Sequence, residues 1–303
     1  MKNLYFILIL ALFGQFSSAN EVNVYTSRHY DSDPGLYQEF TNETGVKVNI
    51  ISGKGSALLE RIKAEGKNSP ADIFFTVDAG NLWKVQKENL LQSITSTKVL
   101  DAVPDNLKGP DNQWTAIAKR ARAIFYNPLM VEETEINNLN YEDLADSKWK
   151  NRIVIRSSNN MYNQSLVASL IANLGETQTE SWAKKLVSNF ARKPQGNDRS
   201  QIMAVANGEA DIAIANSYYI GIMLSGLAGE EQLNAAKKVK MLFPNQDNRG
   251  VHINISGAGI LKYAPNVENA NLFLEFLLSK KAQKYMVEKS YEYAVLAGIL
   301  PSK

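Results

Sequence analysis

The chain has no cysteine in its 303 residues. That excludes disulfides, thiolate metal sites, a cysteine nucleophile and a lipid carried on an N-terminal cysteine. Stability must come from the packing of a core. Histidine is nearly as scarce, with two residues, His29 and His252, which leaves little imidazole for acid–base chemistry. No Gly-x-Ser-x-Gly elbow and no His-Glu-x-x-His helix motif occurs, so no motif supports an enzyme. An excess of one charge is also missing: 33 basic residues face 31 acidic ones, a formal net charge of +2. A mixed, near-neutral chain carries no polybasic footprint, so no nucleic-acid partner is expected. Beyond the N-terminus no apolar run approaches the length of a membrane span. Internal repeats and low-complexity tracts are absent too.

What is present begins with MKNLYFILILALFGQFSSAN. A basic start, an apolar centre and a small-residue end at Ser17-Ser18-Ala19 read as a secretory signal over residues 1–19, cut after Ala19. The remaining chain is expected to be exported, soluble and monomeric, most simply in a bacterial periplasm.

Short Val- and Ile-rich runs alternate with amphipathic stretches, which predicts an α/β fold. Strands are expected at 23–27, 47–52, 71–77, 151–156 and 211–215, with helices after each. WTAIAKRARAIFYN (114–127) reads as one long strand passing between two lobes, and 240–261 as an extended return. The expected division is an N-lobe of 20–119 with about 247–270, and a C-lobe of 120–246 with about 271–303, with a cleft between them. GKGS at 53–56 lacks the spacing of a phosphate loop and reads as a tight turn into a helix.

Ligands of open α/β sheets bind beyond the carboxyl ends of strands. Three strand-to-helix loops here carry tyrosine: RHYDSD with His29 and Tyr30, SSNNMYNQ with Tyr162, and NSYYIG with Tyr218 and Tyr219. Adjacent tyrosines on a helix point about 100° apart, so one core cannot take both. At the first positions of a helix they splay from one corner and can both reach a point beyond it. A phenol ionises near pH 10 in water, so neutral-pH phenolate needs a strong positive charge beside it. A hard trivalent cation such as Fe(III) supplies that charge and suits anionic oxygen donors. Tyr25, Tyr37 and Tyr126 lie within strand or helix patterns and read as packing residues, and His252 as a structural histidine.

The segments RHY, AKRARAIFYN, MYN, NGEADIAIANSYY and GVHINISGAGI together resemble the periplasmic ferric-iron-binding proteins of bacterial iron ABC transporters, the cyanobacterial branch in particular. The resemblance covers essentially all of the mature chain. It implies a type II periplasmic binding protein fold that closes on one Fe(III) and delivers it to an ABC permease in the inner membrane. Tyr30, Tyr162, Tyr218 and Tyr219 match the family's phenolate ligands, and His29 a histidine that ligates in some members. Some relatives add a first-lobe Glu and a synergistic carbonate or phosphate, and no counterpart of that carboxylate is found here. Whether an anion completes the shell, and whether Fe(II) is also carried, stays open. Four phenolates on a trivalent ion leave one surplus negative charge. Arg122 on the crossing strand is the candidate to offset it, with Arg199 or Arg28 next. The competing reading in the same fold is a binding protein for an organic or oxyanion solute such as a polyamine, thiamine or phosphate ester, whose sites favour carboxylates, Trp cages or backbone donors.

Overall fold

The computed structural model describes residues 20–302, so the signal expected over residues 1–19 lies outside it. The elements run β1 (Glu21–Thr26), α1 (Asp33–Thr44), β2 (Lys47–Ser52), α2 (Gly55–Glu65), β3 (Ile73–Val77), α3 (Ala79–Lys87), α4 (Thr97–Ala102) and β4 (Thr115–Tyr126). Next come α5 (Glu133–Ile136), β5 (Ile153–Val154), α6 (Met161–Leu174), α7 (Glu176–Ser188), α8 (Asp198–Ala206), β6 (Ile212–Asn216), α9 (Tyr218–Leu224) and α10 (Glu230–Ala236). The chain ends with β7 (Lys240–Leu242), β8 (Ile253–Ile260), α11 (Val267–Leu277), α12 (Lys280–Lys289) and β9 (Tyr293–Ala294).

Local chemistry sets these boundaries. Pro34 sits in the first turn of α1, and Gly45 closes it in the left-handed conformation with φ 72°. The side chains of Asp78, Asn160 and Ser279 accept backbone N–H groups at the starts of α3, α6 and α12. The turn expected at 53–56 is the one that leads into α2, with extended Lys54 before its first residue.

Among the described residues the sheet order is β2-β1-β3-β8-β4-β6-β5, with β7 and β9 also paired to β4. β4 joins the halves. Thr115–Ala121 pairs with β8, and Arg122–Tyr126 pairs antiparallel with β6. The crossing strand expected at 114–127 is therefore present. The return differs from expectation. Instead of one extended run over 240–261, β7 stops and a loop through Asn245 (φ 63°) and Gly250 (φ 81°) intervenes before β8. Pro244 at its start cannot donate to a ladder. In β8 two glycines permit close backbone approach: a Cβ at Gly257 would lie 2.8 Å from the Thr115 carbonyl, and one at Gly259 2.7 Å from that of Gln113.

Burial follows the two-residue period of the strands. In β4 and β6, Ala123, Phe125, Ala213 and Ala215 enter one apolar cluster, while Ile124, Ile212 and Ile214 enter another on the opposite face. The first half has its own core, built from β1, β3, β8 and the helices around them. The terminal helices belong to this core. Phe273 packs its ring 5.0 Å from Phe40 and 5.9 Å from Tyr37, and Ala282, Met286 and Val295 join the same cluster. The expected placement of about 271–303 in the C-lobe is thus corrected, because the apolar face of α11 is complementary to α1.

Phe273→Ala should cost about 3–5 kcal/mol in chemical denaturation, as large buried aromatics do on truncation. A loss below about 1 kcal/mol would mean that α11 is not integral to the first core.

Candidate metal centre

All three tyrosine loops leave their strands toward the seam between the halves. Tyr30 follows β1 in a turn in which its carbonyl accepts the Asp33 N–H at 3.1 Å. Tyr162 is the second residue of α6, and its N–H is held by the Asn160 cap at 2.9 Å. Tyr218 and Tyr219 open α9 directly after β6. The four rings are buried in one cluster, to which Val77 of the first half also contributes. Tyr30 meets Tyr218 edge-on at 5.4 Å between centroids, and Tyr218 lies 4.2 Å from Tyr219. Loops far apart in sequence and on opposite halves bring their phenols together.

The hydroxyl oxygens of Tyr30 and Tyr218 are buried and have no hydrogen-bond partner. A buried polar group left unsatisfied costs about 1–3 kcal/mol, and these two lie in the same cluster. Burial pushes the Tyr30 phenol well above its ordinary pKa, with Glu292 adding to the effect. Tyr218 is raised by burial and then by the Tyr30, Tyr162 and Tyr219 phenols, and Tyr219 by burial and then Tyr162. These groups therefore resist ionising beside one another unless a cation joins them. Among the described residues no group of three or more His, Cys, Asp or Glu side chains is placed to hold a metal ion. The oxygen-bearing side chains gathered in this apolar cluster are the phenols.

The cations are arranged differently from the sequence expectation. Arg122 is buried, and its charge is taken up by Asp198, with Nη1 2.5 Å from Oδ2. The same Nη1 also donates to Asn216 Oδ1 at 3.2 Å, and Nη2 donates to Asn163 Oδ1 at 2.6 Å. These partners sit just before Tyr218 and just after Tyr162, so Arg122 ties the two second-half loops together from behind. The less engaged charge is Arg120, two residues earlier on the same face of β4. It bonds Ser256 Oγ at 3.2 Å and lies 3.7 Å from Glu292, while its Nε and Nη2 have no partner. Its guanidinium carbon is 5.5 Å from the Tyr162 ring centroid. Burial disfavours this cation, but the Tyr30 and Tyr162 phenols, Glu292 and Asp78 hold its pKa above the usual arginine value.

Arg28 lies 4.4 Å from the Tyr30 ring centroid and is paired with Asp33 at 2.8 Å and Glu292 at 3.0 Å. The Arg199 side chain makes no ion pair or hydrogen bond among the described residues; partly exposed, it stands at the start of α8. His29 is exposed and stacks on Tyr30 at 5.4 Å with rings 10° from parallel. It is adjacent to the cluster rather than inside it. His252 is distinct again: its Nε2 is buried without a partner, and burial together with Arg122 and Arg120 lowers its pKa to about 4. Tyr25 packs as expected and donates to Glu65 at 2.8 Å.

Sequence reasoning missed Arg120, Asp78, Asp198 and Glu292 as parts of the site. Arg120 was detectable in principle, since residues two apart on a strand share a face. Glu292 was not, because it comes from the far end of the chain with no motif around it. Asp78 carries the contact between halves. It accepts the Ser165 hydroxyl of α6 at 2.9 Å and Asn254 Nδ2 at 2.8 Å, from a backbone at φ 90°.

Comparison with known proteins follows this geometry. The family model of bacterial extracellular solute-binding proteins matches residues 27–284. The chain is 52% identical to Iron uptake protein A1 of Synechocystis sp. over 92% of its own length and 77% of that protein. Against the major ferric iron-binding protein of Neisseria meningitidis it is 30% identical, covering 95% of this chain and 85% of the other. Among solved structures, the Trichodesmium protein IdiA (FutA) in complex with iron and citrate ligands superposes with a TM-score of 0.88 at 52% identity, covering 93% and 89% of the two chains. A ferric binding protein from Campylobacter jejuni gives a TM-score of 0.88 at 39% identity, with the same coverage. The type II periplasmic binding fold expected from sequence is the fold of these structures, and this chain belongs to the bacterial extracellular solute-binding proteins, among their iron-uptake and ferric-binding members.

Proposed function

We propose that the chain is the periplasmic carrier of an iron ABC transporter, taking Fe(III) on the phenolates of Tyr30, Tyr162, Tyr218 and Tyr219 and handing it to an inner-membrane permease. The observation that carries this reading is the pair of buried, partnerless hydroxyls of Tyr30 and Tyr218, supplied by opposite halves of the molecule. A polyamine, thiamine or phosphate-ester site would be expected to present carboxylates or dense backbone donors instead. The names of the relatives point the same way.

In this reading the second-half tyrosines receive the ion and Tyr30 completes the shell as the lobes shut, with Asp78 and Ser165 meeting across the seam. Arg120, rather than Arg122, offsets the surplus negative charge of four phenolates. His29 caps the outer side of Tyr30. The working lobes are 20–119 with about 247–302, and 120–246. The chain acts as a monomer without catalytic turnover, after loss of residues 1–19. Fe(II), a weaker Lewis acid, supports phenolate less well, so reduction favours release.

Ferric ion should give a visible phenolate-to-iron charge-transfer band, and Tyr218→Phe with Tyr219→Phe should abolish it. An unchanged band in that double variant would refute the ligand assignment. Arg120→Gln should weaken iron binding about 10–100-fold, whereas Arg122→Gln should chiefly lower the melting temperature. The reverse pattern would return the compensating role to Arg122.

The pH dependence has a definite sign. The phenols of Tyr30, Tyr218 and Tyr219 have raised pKa values, so they are protonated in the metal-free protein at neutral pH and must lose protons to bind iron. Loading with ferric nitrilotriacetate in weak buffer should therefore release about two to four protons per iron, with affinity falling as the solution is acidified. Binding without proton release would rule out phenolate ligation.

A further inference from the structure

We infer that Tyr291 is a positioning residue for the metal centre: its ring, carried on a strap from the first half, braces the helix that presents Tyr218 and Tyr219. This rests on the ferric reading above and concerns how that site is held in register. The strap runs from the end of α12 through β9, residues 290–295. It is anchored on the first half. The Ser290 hydroxyl donates to the Met286 carbonyl at 2.7 Å, Glu292 pairs with Arg28, and the Val295 N–H donates to Gln283 Oε1 at 2.9 Å. Its two tyrosines contact the second half instead. Tyr293 meets Phe243 edge-on at 6.5 Å between centroids, and Tyr291 packs against the cluster that contains Tyr218 and Tyr219. Between them and the anchors, β9 pairs with Ala118 and Lys119 of β4, beside the point where that strand passes from one half to the other.

The contact with α9 is close enough to dictate sequence on both sides. A Cβ at Gly221 would lie 2.5 Å from the Tyr291 ring, so α9 carries no side chain where the ring lies. Gly221 stands three residues beyond Tyr218 and is its neighbour on the helix surface. Each partner is a poor local choice. Glycine within a helix is disfavoured relative to alanine, and Tyr291 has φ 58°, a region that bulky residues rarely occupy. Such strain persists where the surrounding structure demands it. The next residue gives the contact its consequence. Glu292 lies 3.0 Å from Arg28 and 3.7 Å from Arg120, the cations beside the Tyr30 and Tyr162 rings. Adjacent strap residues therefore touch the helix of one pair of phenols and the charges behind the other two. A shift of α9 against the strap changes the spacing of Tyr218 from Tyr30, and a shared metal shell holds its donors to within about 0.5 Å.

The test loads the full mature chain with ferric nitrilotriacetate and reads the charge-transfer band and the rate of iron loss to excess EDTA. Tyr291→Ala should speed iron loss about tenfold and shift the band, while Tyr291→Phe, which keeps the ring, should match the unaltered chain. Tyr291→Asn removes the ring but accepts positive φ more readily. It should reproduce the iron defect with a smaller fall in melting temperature, which separates positioning from folding. Gly221→Ala, whose Cβ meets the ring, should also speed iron loss, yet add nothing in the Tyr291→Ala background. Three results would overturn the inference while the ferric reading stands: band and release rate unchanged in the Ala and Asn variants, a Phe variant as impaired as Ala, or additive effects of Gly221→Ala and Tyr291→Ala. No charge-transfer band in the unaltered chain would remove the ferric reading, and the inference with it.

Discussion

The structure turns on an electrostatic constraint: phenols from two halves of the molecule are buried against each other, where none can ionise without help. Burial and mutual repulsion raise the pKa of Tyr30, Tyr218 and Tyr219. A hard, highly charged cation inverts that balance, because it converts like-charge repulsion into shared attraction. In the proposed function, selectivity follows from the same constraint. A monovalent ion, or a divalent one with weaker Lewis acidity, stabilises phenolate less and leaves more of the deprotonation cost unmet. The burial that would make this site unfavourable for an empty protein is what makes it discriminating.

The supporting charges are organised around one strand. β4 carries Arg120 and Arg122 on the same face, but the two halves use them differently. Arg122 meets Asp198, Asn163 and Asn216, all from the second half, and so fixes the spacing of the Tyr162 and Tyr218 loops. Arg120 meets Glu292 and Ser256 and keeps two nitrogens unsatisfied. Glu292 also binds Arg28 beneath Tyr30, so the loop of the first half and the cation facing the phenols share a carboxylate. Charge added at the phenols is therefore felt on both sides of the seam. A buried pair is an uncertain source of stability, and here its consequence is registry.

Much of this was legible in the sequence, and the reasons for the exceptions are physical. The phenol loops could be read because strand ends and helix caps leave local signatures, such as Asn160 ahead of Tyr162. The strand over 114–127 was readable because a charged patch within an apolar run suits a junction. The terminal helices were misplaced because amphipathic periodicity shows that α11 has a buried face, not which core receives it. That choice lies in the fit of Phe273 to Phe40. Arg120 and Arg122 share a face, and only the partner Asp198, brought from about 76 residues away, decides which of them is neutralised. Glu292 had no local signal at all.

In the proposed closure, opposing terms meet at the seam. Two phenol hydroxyls are unsatisfied in the structure, at about 1–3 kcal/mol each. Against that stand the Ser165 hydroxyl on the Asp78 carboxylate, a bond to a charged group contributing about 1.5–3 kcal/mol, and the apolar contact of the tyrosine rings. A ligand shifts a conformational equilibrium only by its differential affinity for the two forms, and in the proposed function a cation shared by Tyr30 and Tyr218 has that property because its donors come from opposite halves. A downstream receptor that recognises lobe orientation would then read the presence of iron without touching the metal.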